Sequence, residues 1–337
     1  MRLLSYVVRR VLSLAVLVLM ISLIIFSIFL VVPGDPAKLM LGEGYTPTRY
    51  QEMREYLGLD DPLHVRYLNF VNDLIHGNLG YSLLQGRRLS ATPMIMDAFK
   101  ATLELSVLST IISVIVGLSA GIISAVKRNS IFDYVSMSYA LTGVCLPVFW
   151  TGILLIIVFS VMLGWFPLSG RINVLLPFQR ITGLYILDSI LTGNWAALKS
   201  CLWHMMLPAF ALSLETGGVI ARMTRSNMIE ALSKNYVTTA RSVGFPERVV
   251  IFKYVLRNAM IPISTVIGMR FARHLGGTVL TETVFAWPGI GRLAVSAIMS
   301  RDYPVVVGCA VIFAIAIVII NLIVDILYTY LDPRIEF

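Results

Sequence analysis

The sequence predicts an all-α membrane protein with six transmembrane helices and an external loop subdomain. Three observations carry that prediction. Hydrophobic residues make up 57% of the chain and charged residues only 14%, outside the range of soluble globular domains. Apolar runs long enough to cross a bilayer, which takes about 20 residues, recur along the chain. The lysines and arginines gather in short connections between alternate runs, the bias of loops that stay on the cytoplasmic side. The net charge is +8. A nucleic-acid binder would cluster such charge on one soluble face, whereas here it is dispersed over loops, so membrane lipid is the expected surrounding and nucleic acid is not an expected partner.

The first expected span covers residues 11–34, an uncharged run preceded by Arg9 and Arg10. It is too long for a signal-peptide core and no small-residue cleavage site follows, so it reads as a retained helix with its N-terminus inside. Pro33-Gly34-Asp35-Pro36 stops it, since two prolines and a glycine cannot continue a helix and the aspartate belongs in water. Residues 35–100 form the most polar long stretch, with eight acids, and read as a small folded external subdomain. The remaining residues, 101–337, read as a five-helix core.

The core begins with a second span over 105–126, which contains Gly117 and Gly121 at a spacing that lets helices approach closely. Lys127-Arg128-Asn129 is a short basic turn on the inside. Residues 134–170 carry no charge across 37 positions and read as one tilted helix kinked at Pro147, with a re-entrant or interfacial tail. An irregular external connection over 171–199 leads to a fourth span over 201–223. The fifth runs over 258–281 and the sixth over 303–324, placing both termini on the cytoplasmic side. On this topology the inside segments hold 13 of the 27 Lys/Arg. Between the last two spans, Trp287, Pro288, Gly289 and Gly291 follow Glu282 in a turn whose aromatic suits a membrane interface.

Residues 227–257 form a polar island between two spans. From Arg222 to Arg257 there are seven Lys/Arg against the two acids Glu230 and Glu247. The apolar spacing is helical, and Gly244-Phe245-Pro246 divides the island into two short helices. A basic helix-turn-helix on the inside face suggests a docking surface for a soluble partner. Charges also fall within the spans: Glu215 in the fourth, and Arg270 and Arg273, with His274, in the fifth. Such residues cost about 2.5–3.5 kcal/mol each on insertion scales and face a bundle interior, a water path or a partner. Arg270 lies about 18 Å up its helix from Asn258, a height that Glu215 shares on the antiparallel neighbour. A Glu215–Arg270 ion pair, an arginine lining a translocation path and a contact with a partner subunit are all open. Of the two arginines, Arg270 is the expected structural partner and Arg273, nearer the outer mouth, the expected path residue.

Thr238-Thr239-Ala240, three further residues and Gly244 resemble the Glu-Ala-Ala-x3-Gly signature of permease subunits of ATP-binding-cassette importers. Thr238 stands where that family has Glu, and of the Ile-x-Leu-Pro that follows there only Leu256 is kept. The string from Asn235 to Gly244, the later Leu256-Arg257-Asn258-Ala259-Met260-Ile261-Pro262, Pro33-Gly34-Asp35-Pro36 and the turn from Glu282 to Arg292 are similar to the dipeptide, oligopeptide and nickel branch, and the likeness runs the whole chain. The resemblance implies a type I importer permease fold in the cytoplasmic (inner) membrane. It implies as partners a homologous second permease, two cytoplasmic ATPase subunits and an external or periplasmic solute-binding protein. The coupling contact with the ATPases would be made by Thr238, Thr239, Ala240 and Arg241, with Gly244, Phe245, Glu247 and Arg248 beyond the turn.

The chain has no Gly-x4-Gly-Lys-Ser/Thr, so it holds no ATP in a phosphate-binding loop of that kind; ATP and Mg are expected on the partner subunits, and no cofactor or metal on this chain. Cys145, Cys201 and Cys309 show no metal-ligand spacing. With no nucleophile–base pair in view, the chain reads as a non-enzymatic transport subunit whose expected cargo is a di- or oligopeptide. A nickel or metal-chelate importer is the alternative within the class. An ion-coupled secondary transporter or a membrane-embedded enzyme would be the alternative outside it.

Overall fold

The computed structural model describes residues 13, 16–17, 19–24, 26–27, 35–41, 45–56, 58–82, 89–276, 278–300 and 302–331. Most of the span expected over 11–34, including Pro33 and Gly34, lies outside the described residues, as does the C-terminal segment 332–337. The described chain is mostly helical, with one antiparallel pair of two-residue strands and an irregular connection over 163–184. It divides into two compact units, residues 1–97 with 293–315, and residues 98–292 with 316–336.

In the first unit, α1 (Pro36–Leu41) starts at Asp35, whose carboxylate accepts the Ala37 N–H at 3.0 Å and so satisfies one of the free amides of the first turn. From α2 (Pro47–Tyr56), Tyr50 donates its hydroxyl to the same carboxylate, and Arg54 bridges Asp35 at 3.4 Å and Asp60 at 2.5 Å. Burial pushes the Asp35 carboxyl up, but the Tyr50 hydroxyl and the amides of Ala37 and Lys38 outweigh it and hold the group below its ordinary range. After α3 (Leu63–Ile75), β1 (Tyr81–Ser82) pairs with β2 (Leu89–Ser90), Tyr81 opposite Ser90. Ser82 donates to the Asp302 carboxylate at 2.5 Å, 220 residues away in sequence. The polar segment thus groups with residues 293–315 in one unit.

The helix α4 (Ala91–Val126) enters the second unit at residue 98. There follow α5 (Ile131–Cys145), α6 (Val148–Leu155, continued by a π-helical segment Ile156–Met162), α7 (Tyr185–Leu191) and α8 (Trp195–Leu232). Then come α9 (Asn235–Ser242), α10 (Glu247–Val249) with a π-helical segment Val250–Leu256, α11 (Arg257–Leu275) and α12 (Val279–Val284). The last two helices are α13 (Ile290–Met299) and α14 (Tyr303–Leu331). Among the described residues, four helices are long and apolar enough to cross a membrane: Ala91–Val126, Trp195–Leu232, Glu247–Leu275 and Pro304–Ile323. The pair α5 and α6 would make a fifth if the two count as one span.

Three elements differ from the sequence expectation. The run over 134–170 is not one kinked helix; α5 and α6 meet at 107°. Pro147 forces the residue before it out of helical geometry, and Leu146 is extended (φ −83°, ψ 131°), so the helix ends instead of bending. The fifth span starts at Glu247, well before Asn258, because Pro246 opens a helix that passes through a π-helical segment without stopping. It ends at Leu275, short of the expected residue 281. The fourth span is the middle of a 38-residue helix whose first turn is capped by Asn194, the side chain accepting the Ala197 N–H at 3.0 Å. Helix α4 lies directly on α8: a Cβ at Gly117 would sit 2.7 Å from the Gly217 carbonyl, and one at Gly121 2.6 Å from that of Ala221.

Candidate functional site

Three arrangements in the second unit contain the residues singled out from the sequence. The first is the island after α8. Helix α9 is held by Val237, fully buried, and Ala240, which pack with Met228, Ala231, Val250, Ile251 and Val255. Burying one valine contributes about 1.5–3 kcal/mol, enough to seat an eight-residue helix that would be marginal alone. The opposite face stays open: Thr238, Thr239, Arg241, Phe245, Glu247 and Arg248 are exposed. Gly244 closes the turn at φ +87°, its amide bonding the Arg241 carbonyl at 2.9 Å. A Cβ there would meet nothing within 4 Å, so the glycine is required by conformation and not by space. Across the turn, Arg241 and Glu247 pair through two bonds of 3.2 and 2.5 Å, and Phe245 lies on Tyr254 with ring centroids 5.6 Å apart.

The second arrangement is the polar cluster between α8 and α11. Arg270 Nη1 lies 2.6 Å from Glu215 Oε1, and Arg273 Nη1 lies 3.1 Å from the same oxygen. The i,i+3 spacing puts both guanidinium groups over one face of α11. The expected pairing of Arg270 with Glu215 is present, and Arg273, the expected path residue, reaches the same oxygen. They differ in exposure, 24% for the Arg270 side chain and 67% for Arg273. His274, next along, is buried with Nδ1 3.1 Å from Ser109 Oγ on α4 and Nε2 3.1 Å from Thr216 Oγ1 on α8, and so joins three helices.

The third is the turn from Glu282 to Arg292. Its sequence reads as an external loop with an aromatic suited to the membrane interface. Instead, Glu282 and Trp287 are fully buried. Trp287 packs with Ala101, Leu105, Met205 and Leu212 and donates its indole N–H to the Ala101 carbonyl at 3.0 Å. The Glu282 carboxylate accepts the Thr102 hydroxyl at 2.7 Å and the Arg292 amide at 2.8 Å. Burial raises the pKa of Glu282 above 4.5, against the lowering effect of those bonds. Gly289 is buried beside it, and a Cβ at that position would overlap the Glu282 carboxylate. Gly291 is also buried, while Pro288 and Arg292 are exposed. The physical reason is that an indole and a carboxylate with partners in reach gain more from packing and bonding inside than from an interfacial position.

Several bonds had no signal in the sequence. Arg171, from the expected irregular connection, pairs with Glu104 at 2.5 Å, both side chains 6% exposed, and its guanidinium lies 3.6 Å over the Tyr185 ring. Asp133, at the start of α5, accepts two bonds of 2.8 Å from Arg225 on α8 and one from Ser124 at the end of α4. The partners are 67 and 92 residues apart in the two ion pairs. Asp188 gathers the amides of Ile181, Thr182 and Gly183, ordering the approach to α7.

Residues 117–337 match the family described as binding-protein-dependent transport system inner membrane component, and residues 3–113 match the N-terminal membrane component of the same systems. The chain is 42% identical over 334 residues to the dipeptide transport system permease protein DppB of Alkalihalophilus pseudofirmus, covering 99% of this chain and 100% of that protein. It is 39% identical to the protein of the same description from Escherichia coli K12, covering 99% of each. It is 36% identical to the oligopeptide transport system permease protein AppB of Bacillus subtilis, again covering 99% of each. Among solved structures, the MetNI methionine ABC transporter aligns with a TM-score of 0.51 at 14% identity, over 71% of this chain and 96% of that one, a likeness of fold alone. Matched along nearly its whole length, the chain belongs to the family of binding-protein-dependent transport system inner membrane components.

Proposed function

We propose that this chain is the membrane-spanning permease subunit of an ATP-driven importer that moves di- or oligopeptides across the cytoplasmic membrane by alternating access. The observation that carries this reading is the similarity to a dipeptide permease at 42% identity over 99% of this chain and 100% of that protein. A homologous second permease, two cytoplasmic ATPases that bind ATP and Mg, and an external solute-binding protein complete the complex. Six spans of a type I importer permease fold, with both termini cytoplasmic, fit the distribution of basic residues between spans.

In this reading the exposed face of α9 and its turn, from Thr238 to Arg248, docks an ATPase. Its inner side is seated on Met228, Ala231 and Val250, and its outer face is uncovered, with Arg241, Glu247 and Arg248 exposed beside Val243 and Phe245. Closure of the ATPases moves this segment, and the helices packed on it carry the motion to the spans. Residues 35–97 and the exposed parts of the 282–292 turn, Pro288 and Arg292, face outside toward the binding protein. Glu282, Trp287 and Gly289 hold that surface from within.

Uptake of a labelled dipeptide into proteoliposomes containing the complex that copurifies with this chain tests the reading. Accumulation should require ATP on the side of the ATPases and binding protein on the other. Uptake driven by an ion gradient without ATP would instead place the chain among secondary transporters. Cysteines at Asn78 and Pro288, both exposed, should react with an impermeant reagent on intact cells. Reaction only after membrane disruption would reverse the topology.

A further inference from the structure

We infer that Arg273 is a subsite for the carboxylate of the transported solute, with Glu215 as its resident placeholder; the inference rests on the peptide-importer reading and names which of this chain's groups meets the cargo. The starting point is a charge imbalance. Arg270 and Arg273 both bond a single oxygen of Glu215, at 2.6 and 3.1 Å. Among the described residues, no second carboxylate bonds either guanidinium. His274 offers no countercharge, its two ring nitrogens being occupied by Ser109 and Thr216. The cluster therefore carries one positive charge more than it neutralises, at a depth where charge is expensive unless it faces water or an anion.

The two arginines are not equivalent. Arg270 and Glu215 are each 24% exposed and form the enclosed pair. Arg273 is 67% exposed, touches Glu215 by one N–H, and shares the open stripe of α11 with Met269, one turn earlier and also exposed. A guanidinium has five donors in a planar fork that matches a carboxylate, so most of this fork is unengaged. An ion pair as exposed as Arg273–Glu215 contributes little and exchanges readily. An incoming carboxylate takes Arg273 while Glu215 stays with Arg270, and two anions then balance two cations. No bond is made or broken and no proton moves. Weak, replaceable binding is what a site on a path needs, since the solute must also leave.

The test compares a dipeptide with its C-terminal amide in proteoliposomes containing the complete complex, each presented at a concentration that occupies the binding protein equally. The wild-type complex should take up the free acid in preference to the amide. Arg273→Gln should lower free-acid uptake about tenfold, the worth of a charged hydrogen bond, and leave amide uptake and ATP hydrolysis unchanged, so that the preference collapses. Arg273→Lys should keep part of it. Unchanged uptake in Arg273→Gln, an equal loss for acid and amide, or a loss of assembled complex, which would assign Arg273 to an acid of the partner permease, would each overturn the inference while leaving the importer reading standing. If the wild-type complex takes up neither peptide, the importer reading fails and the subsite with it.

Discussion

The turns at Gly244 and Gly289 each join two helices, and each carries a glutamate beside its glycine, yet they are built on opposite principles. At Gly244 the backbone is left-handed and the space around it is empty. The nearby Glu247 pairs with Arg241 in solvent, both about half exposed. At Gly289 the demand is for volume, because a Cβ would occupy the place of the Glu282 carboxylate, which is itself buried and bonded. The first turn leaves its polar groups available for another protein. The second spends them on its own chain. A glycine and an acid in a turn thus mark a surface in one case and an interior clasp in the other, and the difference lies in what the acid touches.

The largest expected effect breaks the clasp. Gly289→Ala should displace the Glu282 carboxylate and cost about 3 kcal/mol, read as a lower unfolding temperature in detergent and less folded protein. Glu282→Ala should cost about 1–3 kcal/mol for each donor left unpaired on Thr102 and Arg292. In that background Gly289→Ala should add little, because the overlap is gone; additive losses would show that Gly289 is needed for its backbone and not for volume. The clasp also has a pH signature. Burial raises the Glu282 pKa above 4.5, so in the pH interval between the unfolded and folded values the folded state keeps a proton that the unfolded chain has released. Its contribution to stability is complete below the unfolded value and is lost as pH rises through the folded-state pKa. Glu282→Gln should flatten the corresponding part of the stability profile; an unaltered profile would remove the clasp as its source.

Gly244→Ala should cost about 1–2 kcal/mol through its positive φ alone, and Gly244→Asn less, since asparagine tolerates that conformation. Gly244→Trp should insert normally, having room, and uncouple ATP hydrolysis from uptake. Normal uptake in that variant would mean that the turn is not the ATPase contact. The smallest effect belongs to Arg241→Gln. Loss of an exposed pair should lower stability by less than about 1 kcal/mol, and the loss should vanish in high salt.

What the sequence made legible was local. The division of the island at Gly244-Phe245-Pro246 follows from residues adjacent in the chain, and α9 and α10 lie on either side of it. Counting along two antiparallel helices brought Glu215 level with Arg270, and the structure places them 2.6 Å apart. That Arg273 shares the same oxygen depends on side-chain reach, which spacing does not contain. Pro147 announced a perturbation, but kink or break is decided by whether neighbours hold the chain in line, and here α5 and α6 diverge by 107°. The turn at Trp287 was legible as a turn and not as an interior, because its partners, Ala101 and Thr102, are 186 and 180 residues distant from the groups they bond. Glu104–Arg171 and Asp133–Arg225 escaped for the same reason: nothing within a window of either residue signals the other.

The length of α8 has a mechanical consequence. Its 38 residues span about 57 Å, against a hydrocarbon layer of about 30 Å, so one uninterrupted rod reaches well beyond the bilayer. One end delivers the chain into the island; Glu215 lies 17 residues before that end, and Arg225 between them is clamped by Asp133. Pro208, where such a rod bends most easily, lies on the far side of Glu215. A twist applied at the island therefore meets no proline hinge before it reaches the acid. In the coupling proposed above, α8 would serve as a drive shaft: a few degrees of rotation at one end would reorient the Glu215 side chain relative to both arginines at the same moment.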